Sequence, residues 1–273
     1  MSYKEHVEVA EQLLQKTIVP TLPSAITELQ TLYQEHATPN PKKVKELLSM
    51  NPYIAGEIVG LANIPALTNS AHVKITDIDS AIYRLGNKYI KNYAMAITVK
   101  ELLNTSKIAG LSVHSQIIAN IAAKIAHYSD YIRPDEAYLL GLLHDIGAFI
   151  LAELNSSYGE VFVGKQNNHF GLEEDEIALF GTSHSAIGYA LAKSWSIPSY
   201  IAQTILLHHT PQLTKITNNK LRSLVAIIEL AHSLSIKKNH AKYEGSSNDE
   251  ICKESQEVLG LTDEELDQIK MAL

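Results

Sequence analysis

Two adjacent residues in the most apolar segment of the chain, His144 and Asp145, are the strongest candidates for chemistry. Burying an imidazole beside a carboxylate is costly unless the two groups are hydrogen-bonded, ion-paired or bound to a metal. Imidazole nitrogens and carboxylate oxygens are also common ligands of metal ions. The pair therefore fits two interpretations, a metal site and a hydrogen-bonded pair in an apolar core.

Histidine is over-represented, with twelve residues against a single cysteine, Cys252. Several of these histidines lie near helix ends or on apolar helix faces, where one cluster could include them. Each one alone is explained as well by a core or capping role, but together with the His-Asp pair they indicate a shared site. The candidate metal ligands are His114, His144, Asp145, His184, His208 and His209.

Helix geometry limits which of these side chains can converge. Adjacent residues of a helix point about 100° apart, so His208 and His209 are not both expected to face one point, and His208 is predicted to face inward. His232 also lies among apolar residues, and its role is left open.

Carboxylates decide how many ions such a site would hold, because two divalent ions usually need bridging carboxylates to offset their mutual repulsion. Glu173, Asp175 and Glu176 are expected on a solvated helix face, which leaves Asp145 as the obvious inward carboxylate. The sequence therefore favours one divalent transition metal ion over a two-metal centre. Six histidines in polar or loop-like surroundings are assigned no role: His6, His36, His72, His127, His169 and His240.

Composition narrows the class of protein. The 273 residues are 45% hydrophobic with a net charge of −7, which indicates a folded chain rather than a disordered one. The acidic balance argues against nucleic acid as a partner, since such binding needs clustered Lys and Arg. No signal peptide and no run of about 18 apolar residues is recognised. With one cysteine, a soluble protein of the cytoplasm, without a membrane partner, is predicted.

Apolar residues recur at spacings of three and four along nearly the whole chain, which predicts an all-α protein. Asn40-Pro41 and Asn51-Pro52 each place a capping side chain before a proline at the first helical position. One long helix is predicted over 134 to 154, with His144 and Asp145 inside it, and polar linkers over 105 to 111 and 241 to 250. The predicted architecture is a helical lobe over 1–106 and a second lobe over 107–273.

The order and spacing of several segments resemble the HD superfamily of metal-dependent phosphohydrolases and, more closely, the HDOD family of HD-related output domains. The resemblance covers about residues 20–235. The segments that carry it are Pro20 to Pro23, NPYIAGEIVGLAN (51–63), AIYRLGNKYIKN (81–92), GLLHDIG (141–147), FGTSHSAIGYALAKSWSIP (180–198) and LLHH (206–209).

The resemblance implies an N-terminal helical lobe and a C-terminal HD-like lobe. In catalytic HD proteins, metal ligands match His114, His144, Asp145 and a late aspartate, and His232 stands where that aspartate would align. Ala148 stands where active HD-GYP-type sites carry a lysine.

These departures favour a bacterial signalling protein without catalytic residues. Such a protein would act by binding other signalling proteins. These partners are expected to be separate chains, because helices fill nearly the entire length of this one. The alternative is a metal-dependent phosphohydrolase of a nucleotide or cyclic dinucleotide, with His144 and Asp145 at its centre. A helical scaffold with only core histidines is a third possibility. The oligomeric state is left open.

Overall fold

A computed structural model describes residues 3–68, 73–165, 171–210, 212–239 and 246–273. These residues form α-helices joined by turns, and none of them lies in a strand, so the all-α prediction is confirmed. The first helices are α1 (Tyr3–Lys16), α2 (Ser24–Glu35), α3 (Pro41–Ser49), α4 (Pro52–Leu61), α5 (Pro65–Thr68), α6 (Ile78–Leu85) and α7 (Ile90–Leu103).

The remaining helices are α8 (Leu111–Ala126), α9 (Pro134–Leu143), α10 (Ile146–Leu154), α11 (Tyr158–Lys165), α12 (Gly171–Phe180), α13 (His184–Ser194), α14 (Ser199–Leu207), α15 (Asn219–Asn239), α16 (Ser246–Leu259) and α17 (Asp263–Met271). Short 3₁₀ turns cover Asn87–Tyr89 and Leu213–Lys215.

The predicted helix starts are confirmed by their hydrogen bonds. Oδ1 of Asn40 accepts from the N–H of Lys42 at 2.9 Å, and Oδ1 of Asn51 accepts from that of Tyr53 at 3.1 Å. Each cap satisfies a backbone donor that the first helical turn cannot pair. These local signals fix where α3 and α4 begin.

Two compact units make up the chain, one of residues 20–102 and the other of residues 1–19 and 103–273. The first unit contains α2 to α6 and most of α7. The second contains α1 together with α8 to α17, so the N-terminal helix belongs with the C-terminal helices.

Close helix contacts in the second unit depend on glycines. A Cβ on Gly141 of α9 would lie 2.4 Å from Cα of Ala119 in α8, and one on Gly147 of α10 would lie 1.9 Å from the carbonyl oxygen of His184. Gly188 of α13 faces Ile205 in the same way, with 2.8 Å to its Cγ2. Glycine therefore lets α10, α13 and α14 approach closely around the candidate ligands.

The segment Pro134–Leu154 is long and apolar enough to cross a membrane by length and composition, contrary to the sequence-based expectation that no such run exists. However, 89% of its apolar window is buried inside the protein. Burial of this kind is what a core segment of a soluble protein shows, and it agrees with the predicted class.

The C-terminal helix α16 corrects the predicted linker over 241–250. Residues 246–250 are helical, and 241–245 lie outside the described residues. Glu254 of α16 accepts from the backbone N–H of Leu213 at 3.1 Å, and Ser255 lies 3.3 Å from Oε2 of Glu229 on α15. Burial, and secondarily the charge of Glu254, raises the pKa of Glu229 from 4.5 to about 8.

We expect this carboxyl group to make the fold less stable in alkali. The folded chain keeps a proton on Glu229 that the unfolded chain releases above pH 4.5, so stability falls as the pH rises towards 8. The free energy of unfolding of the wild type, measured with urea, should fall by roughly 2 kcal/mol between pH 6 and pH 8. Glu229→Gln should abolish this fall. The exposed Glu257→Gln on α16 is the control, and an equal pH dependence in all three proteins would contradict the assignment.

Candidate metal centre

His144 and Asp145 lie at a break between two helices and not inside one helix, which corrects the sequence-based prediction. α9 ends at Leu143, and α10 begins at Ile146 after Asp145 takes φ −103° and ψ 13°. The break releases the pair from the fixed angle between neighbouring helical residues. Nε2 of His144 consequently lies 3.0 Å from Oδ2 of its own neighbour, Asp145.

The histidines predicted from the sequence come together around Asp145. Nε2 of His114 lies 3.4 Å from Oδ2, while Nε2 of His184 and Nε2 of His208 lie 3.4 and 3.5 Å from Oδ1. His209 joins through its Nε2, which is 3.0 Å from Nε2 of His184. All six predicted ligands therefore meet in one cluster, although whether they bind a metal remains a prediction.

Both His208 and His209 face the cluster, although only His208 was expected to. α14 ends at Leu207, and His208 at φ −67° and ψ −10° leads the chain out of the helix. The angular restriction applies only within a regular helix. The rings of the two histidines consequently lie against each other, with centroids 3.9 Å apart.

The ligand atoms form two sets, and the atoms of each set all lie within 4.8 Å of one another. The first, the Oδ1 group, is Asp145, His184, His208 and His209; the second group is His114, His144 and His232. The ring of His232 lies 4.8 Å from that of His144 and 5.0 Å from that of His114. His232, which the family resemblance aligns with the late aspartate of catalytic HD proteins, thus lies in the cluster.

Hydrogen bonds fix a proton on Nδ1 of three imidazoles. Nδ1 of His144 donates to the carbonyl oxygen of Gly141, and Nδ1 of His208 to that of Ile205, both at 2.7 Å. Nδ1 of His184 is 2.8 Å from Oε2 of Glu176. A neutral imidazole that donates from Nδ1 presents a lone pair at Nε2. The Nε2 atoms of these three rings therefore face Asp145, where a metal ion would replace the protons that the imidazoles share with this carboxylate.

The spacing of the ligand atoms fits a metal ion. Two ligands about 2.1 Å from one first-row ion lie ~3.0 Å apart at a right angle and ~3.4 Å apart at the tetrahedral angle. The measured separations of 3.0 to 3.5 Å from Oδ1 to His184 and His208, and between His184 and His209, match that range. The cluster can hold a metal ion.

Burial and neighbouring charges together shift the pKa values of the groups in the cluster. Burial alone would raise the pKa of Asp145, but His144 and hydrogen bonds from neighbouring imidazoles hold it well below its usual range. Burial lowers the pKa of His144. Burial acts the same way on His184, but Glu176 and Asp145 outweigh it and raise that pKa well above 6.5. A negative Asp145 is thus paired with positive charge.

Glu176 is a member of the site that the sequence did not identify. It was expected on a solvated face of α12, but it is fully buried, and its Oε2 accepts the backbone N–H of His184 at 2.7 Å. Its Oε1 accepts the hydroxyl of Tyr158, whose pKa burial raises. Glu176 follows the buried Leu172 by four residues, so the two share a helix face, and this spacing was the available signal.

Glu173 and Asp175, which were also expected on a solvated helix face, lie nearer the surface than Glu176. Glu173 accepts from the hydroxyl of Ser185, and Asp175 pairs with Lys165. Neither contact reaches the cluster ligands, so these two residues add no ligand. Among the residues that the structure describes, Asp145 supplies the one carboxylate of the first ligand group, and the second group contains only histidines.

Replacing Glu176 with glutamine is expected to weaken metal binding 10- to 100-fold, because a carboxylate behind a ligand histidine fixes its ring and raises its basicity. Competition with a chromophoric chelator measures the change. Glu174→Gln, on the exposed face of the same helix, should bind like the wild type. Equal affinity in the two variants would show that Glu176 has only a packing role.

The histidines to which the sequence assigned no role differ in position and burial. His36 is an exposed residue at the end of α2, and His127 follows the last turn of α8. His6, expected in polar surroundings, is buried on α1. His72, His169 and His240 lie outside the described residues.

The domain match decides the family. The HDOD domain matches residues 19–211, which is most of the chain. The chain belongs to the HDOD family. An HDOD domain protein of unknown function from Geobacter sulfurreducens has the same fold, with a TM-score of 0.71 and 22% identity, covering 99% of this chain and 98% of its own.

Other proteins of the same fold carry names of two kinds. A protein of Shewanella amazonensis SB2B, provisionally named a metal-dependent phosphohydrolase, has a TM-score of 0.65 and 22% identity, with coverage of 98% of this HDOD chain and 99% of its own. The MmoQ response regulator of Methylococcus capsulatus has a TM-score of 0.50 and 20% identity, with coverage of 92% and 97%.

One curated relative is an uncharacterized protein of Treponema pallidum (strain Nichols), 23% identical over 202 residues. The matched part is 70% of this HDOD chain and 37% of the relative. The chain therefore spans just over a third of the length of that relative.

Proposed function

We propose that this chain is a bacterial, cytoplasmic regulatory HDOD domain that does not hydrolyse phosphate esters and acts by binding other signalling proteins. Its buried cluster would hold one divalent transition metal ion as a structural centre. The observation that carries the proposal is the composition of the cluster: six imidazoles surround a single carboxylate, and His232 lies where catalytic HD proteins carry an aspartate.

The Oδ1 group fits such an ion best. One carboxylate and three imidazoles make four ligands, the number that a closed tetrahedral site requires, and these residues are at most 9% exposed. Bound there, the ion would take the place of the proton on His184 and would supply the positive charge that faces the oxygens of Asp145. The second group has no carboxylate and is a weaker site for a divalent ion.

Burial also separates the cluster from substrates. Hydrolysis by a metal-bound water needs a position open to the phosphate group. His144, His184 and Asp145 are between 0 and 4% exposed, and the side chain of His114, at 14%, is the most open part of the second group. Ala148, at the position of the HD-GYP lysine, is fully buried and supplies no charge.

The response-regulator name of MmoQ and the signal-transduction name of a Marinobacter aquaeolei VT8 protein with a TM-score of 0.62 support the regulatory proposal by fold alone. The expected partner is a protein. Nucleic acid is not proposed, since the net charge is −7, and a membrane is not proposed, since 89% of the apolar window in Pro134–Leu154 is buried inside the protein.

One alternative is a metal-dependent phosphohydrolase of a nucleotide or cyclic dinucleotide. It is favoured by three residues that match metal ligands of catalytic HD proteins, His114, His144 and Asp145. Assays of the Mn²⁺-loaded full chain against nucleotides, cyclic dinucleotides and p-nitrophenyl phosphate separate the two functions. We expect turnover no higher than in Asp145→Asn. Metal-dependent turnover that is lost in His144→Ala would instead establish the hydrolase.

A further inference from the structure

The N-terminal helix α1 contacts the segment that begins at the candidate ligand His184. α1 lies before residue 19, where the HDOD match starts. The hydroxyl of Thr182 donates to the backbone carbonyl oxygen of His6 at 2.7 Å, and Nδ1 of His6 lies 3.3 Å from the carbonyl oxygen of Gly181. Thr182 is fully buried and His6 is 9% exposed, so water does not compete for these contacts.

The turn held by α1 separates two parts of the metal centre. α12, which carries Glu176, ends at Phe180, and α13 begins with His184 after the cap at Ser183. Gly181 takes a left-handed conformation with φ +72°. The position of this short turn consequently sets where the His184 ring lies relative to Glu176 and Asp145.

α1 also reaches the other side of the Oδ1 group. Oη of Tyr3 lies 3.5 Å from Oγ1 of Thr210, the residue after His209. Tyr3 and His6 are three residues apart and so share a face of α1. One face of one helix therefore contacts the turn before His184 and the residue after His209, two ligands from separate parts of the chain.

We infer that α1 positions the metal ligands and that Thr182 is the positioning residue through which it acts. The inference rests on the metal site of the proposed function. A buried hydrogen bond behind a ligand restricts the ligand to the geometry that the ion needs, and loss of such support typically costs 10- to 100-fold in metal affinity. Glu11 of α1 offers a contrast, because it pairs with Lys193 at the far end of α13, 3.1 Å away and exposed.

Chelator competition with Zn²⁺ on the full chain tests the inference. Thr182→Val should weaken binding at least tenfold, while Thr182→Ser, which keeps the hydroxyl, should stay within about threefold of the wild type. Glu11→Gln should not change affinity, although it also removes a contact between α1 and α13. Absorption bands of bound Co²⁺, which report ligand geometry, should shift in Thr182→Val and not in Glu11→Gln.

Two failures are distinguishable. If the wild type binds Zn²⁺ and Thr182→Val binds it equally well, the positioning role of α1 is wrong and the proposed function stands. If the wild type binds no metal, both are wrong. Should Thr182→Val fail to fold, Thr182→Ala gives the same test, since it removes the hydroxyl without placing a second methyl group in the turn.

Discussion

Replacing Gly147 with alanine is expected to destabilise the protein by at least about 3 kcal/mol and to separate the ligands of the metal centre. The new Cβ would lie 1.9 Å from the carbonyl oxygen of His184 and 2.7 Å from the backbone nitrogen of Gly188. Both are backbone atoms, which cannot move aside by a change of rotamer. α13 must therefore shift away from α10, and His184 must move away from Asp145 with it.

Urea unfolding and Zn²⁺ binding measure the two effects. Gly56→Ala is the matched control, because Gly56 lies inside α4 with no neighbouring atom within 4 Å of its added Cβ. That variant should gain up to about 1 kcal/mol from helix propensity. If Gly147→Ala had the same free energy of unfolding as the wild type, α10 and α13 would not be in close contact, and the described cluster would be wrong.

Replacing Asp145 with asparagine is expected to abolish the stabilisation of the protein by metal. A divalent ion at 100 times its dissociation constant should raise the free energy of unfolding of the wild type by about 2.7 kcal/mol. Asparagine keeps the shape of the side chain but removes the carboxylate charge that His144, His184 and His208 surround at 3.0 to 3.5 Å. Without that charge an ion would have only neutral ligands.

Thermal unfolding with and without Zn²⁺ measures this loss. Asp135→Asn is the control, because Asp135 is also a buried carboxylate but is paired with Arg133 at 2.7 Å, outside both ligand groups. Its variant should lose stability yet keep the full metal response. A metal response in Asp145→Asn equal to that of the wild type would place any bound ion elsewhere.

Local signals in the sequence were sufficient for much of the fold. Asn40 and Asn51 predicted helix starts that the backbone hydrogen bonds confirm. These predictions succeeded because capping depends on residues within one helical turn of each other.

The break at His144 and Asp145 could not be predicted, because the apolar pattern continues through it. Its cause is tertiary: Asp145 is surrounded by imidazoles from α8, α13 and the end of α14, and these contacts oppose a regular helix. The same reason applies to His209, whose inward position depends on where α14 ends. Sequence spacing identified the residues of the cluster but not the geometry that joins them.

Glu176 and His6 show a second limit. Each lies on a helix with many polar residues, and each is buried against a partner outside its own helix, His184 for Glu176 and Thr182 for His6. A polar residue on an otherwise exposed helix looks solvated until its partner is known. Polar contacts between separate helices are therefore the part of the site that sequence patterns did not reveal.

Anomalous X-ray scattering from crystals of the metal-loaded protein tests the central claim most directly. The account predicts one peak, about 2.0 to 2.3 Å from Oδ1 of Asp145 and from Nε2 of His184 and of His208. Two peaks bridged by Asp145 would indicate a two-metal hydrolytic centre and contradict the proposed function. No peak at the cluster, in crystals grown with saturating Zn²⁺, would contradict the metal centre itself.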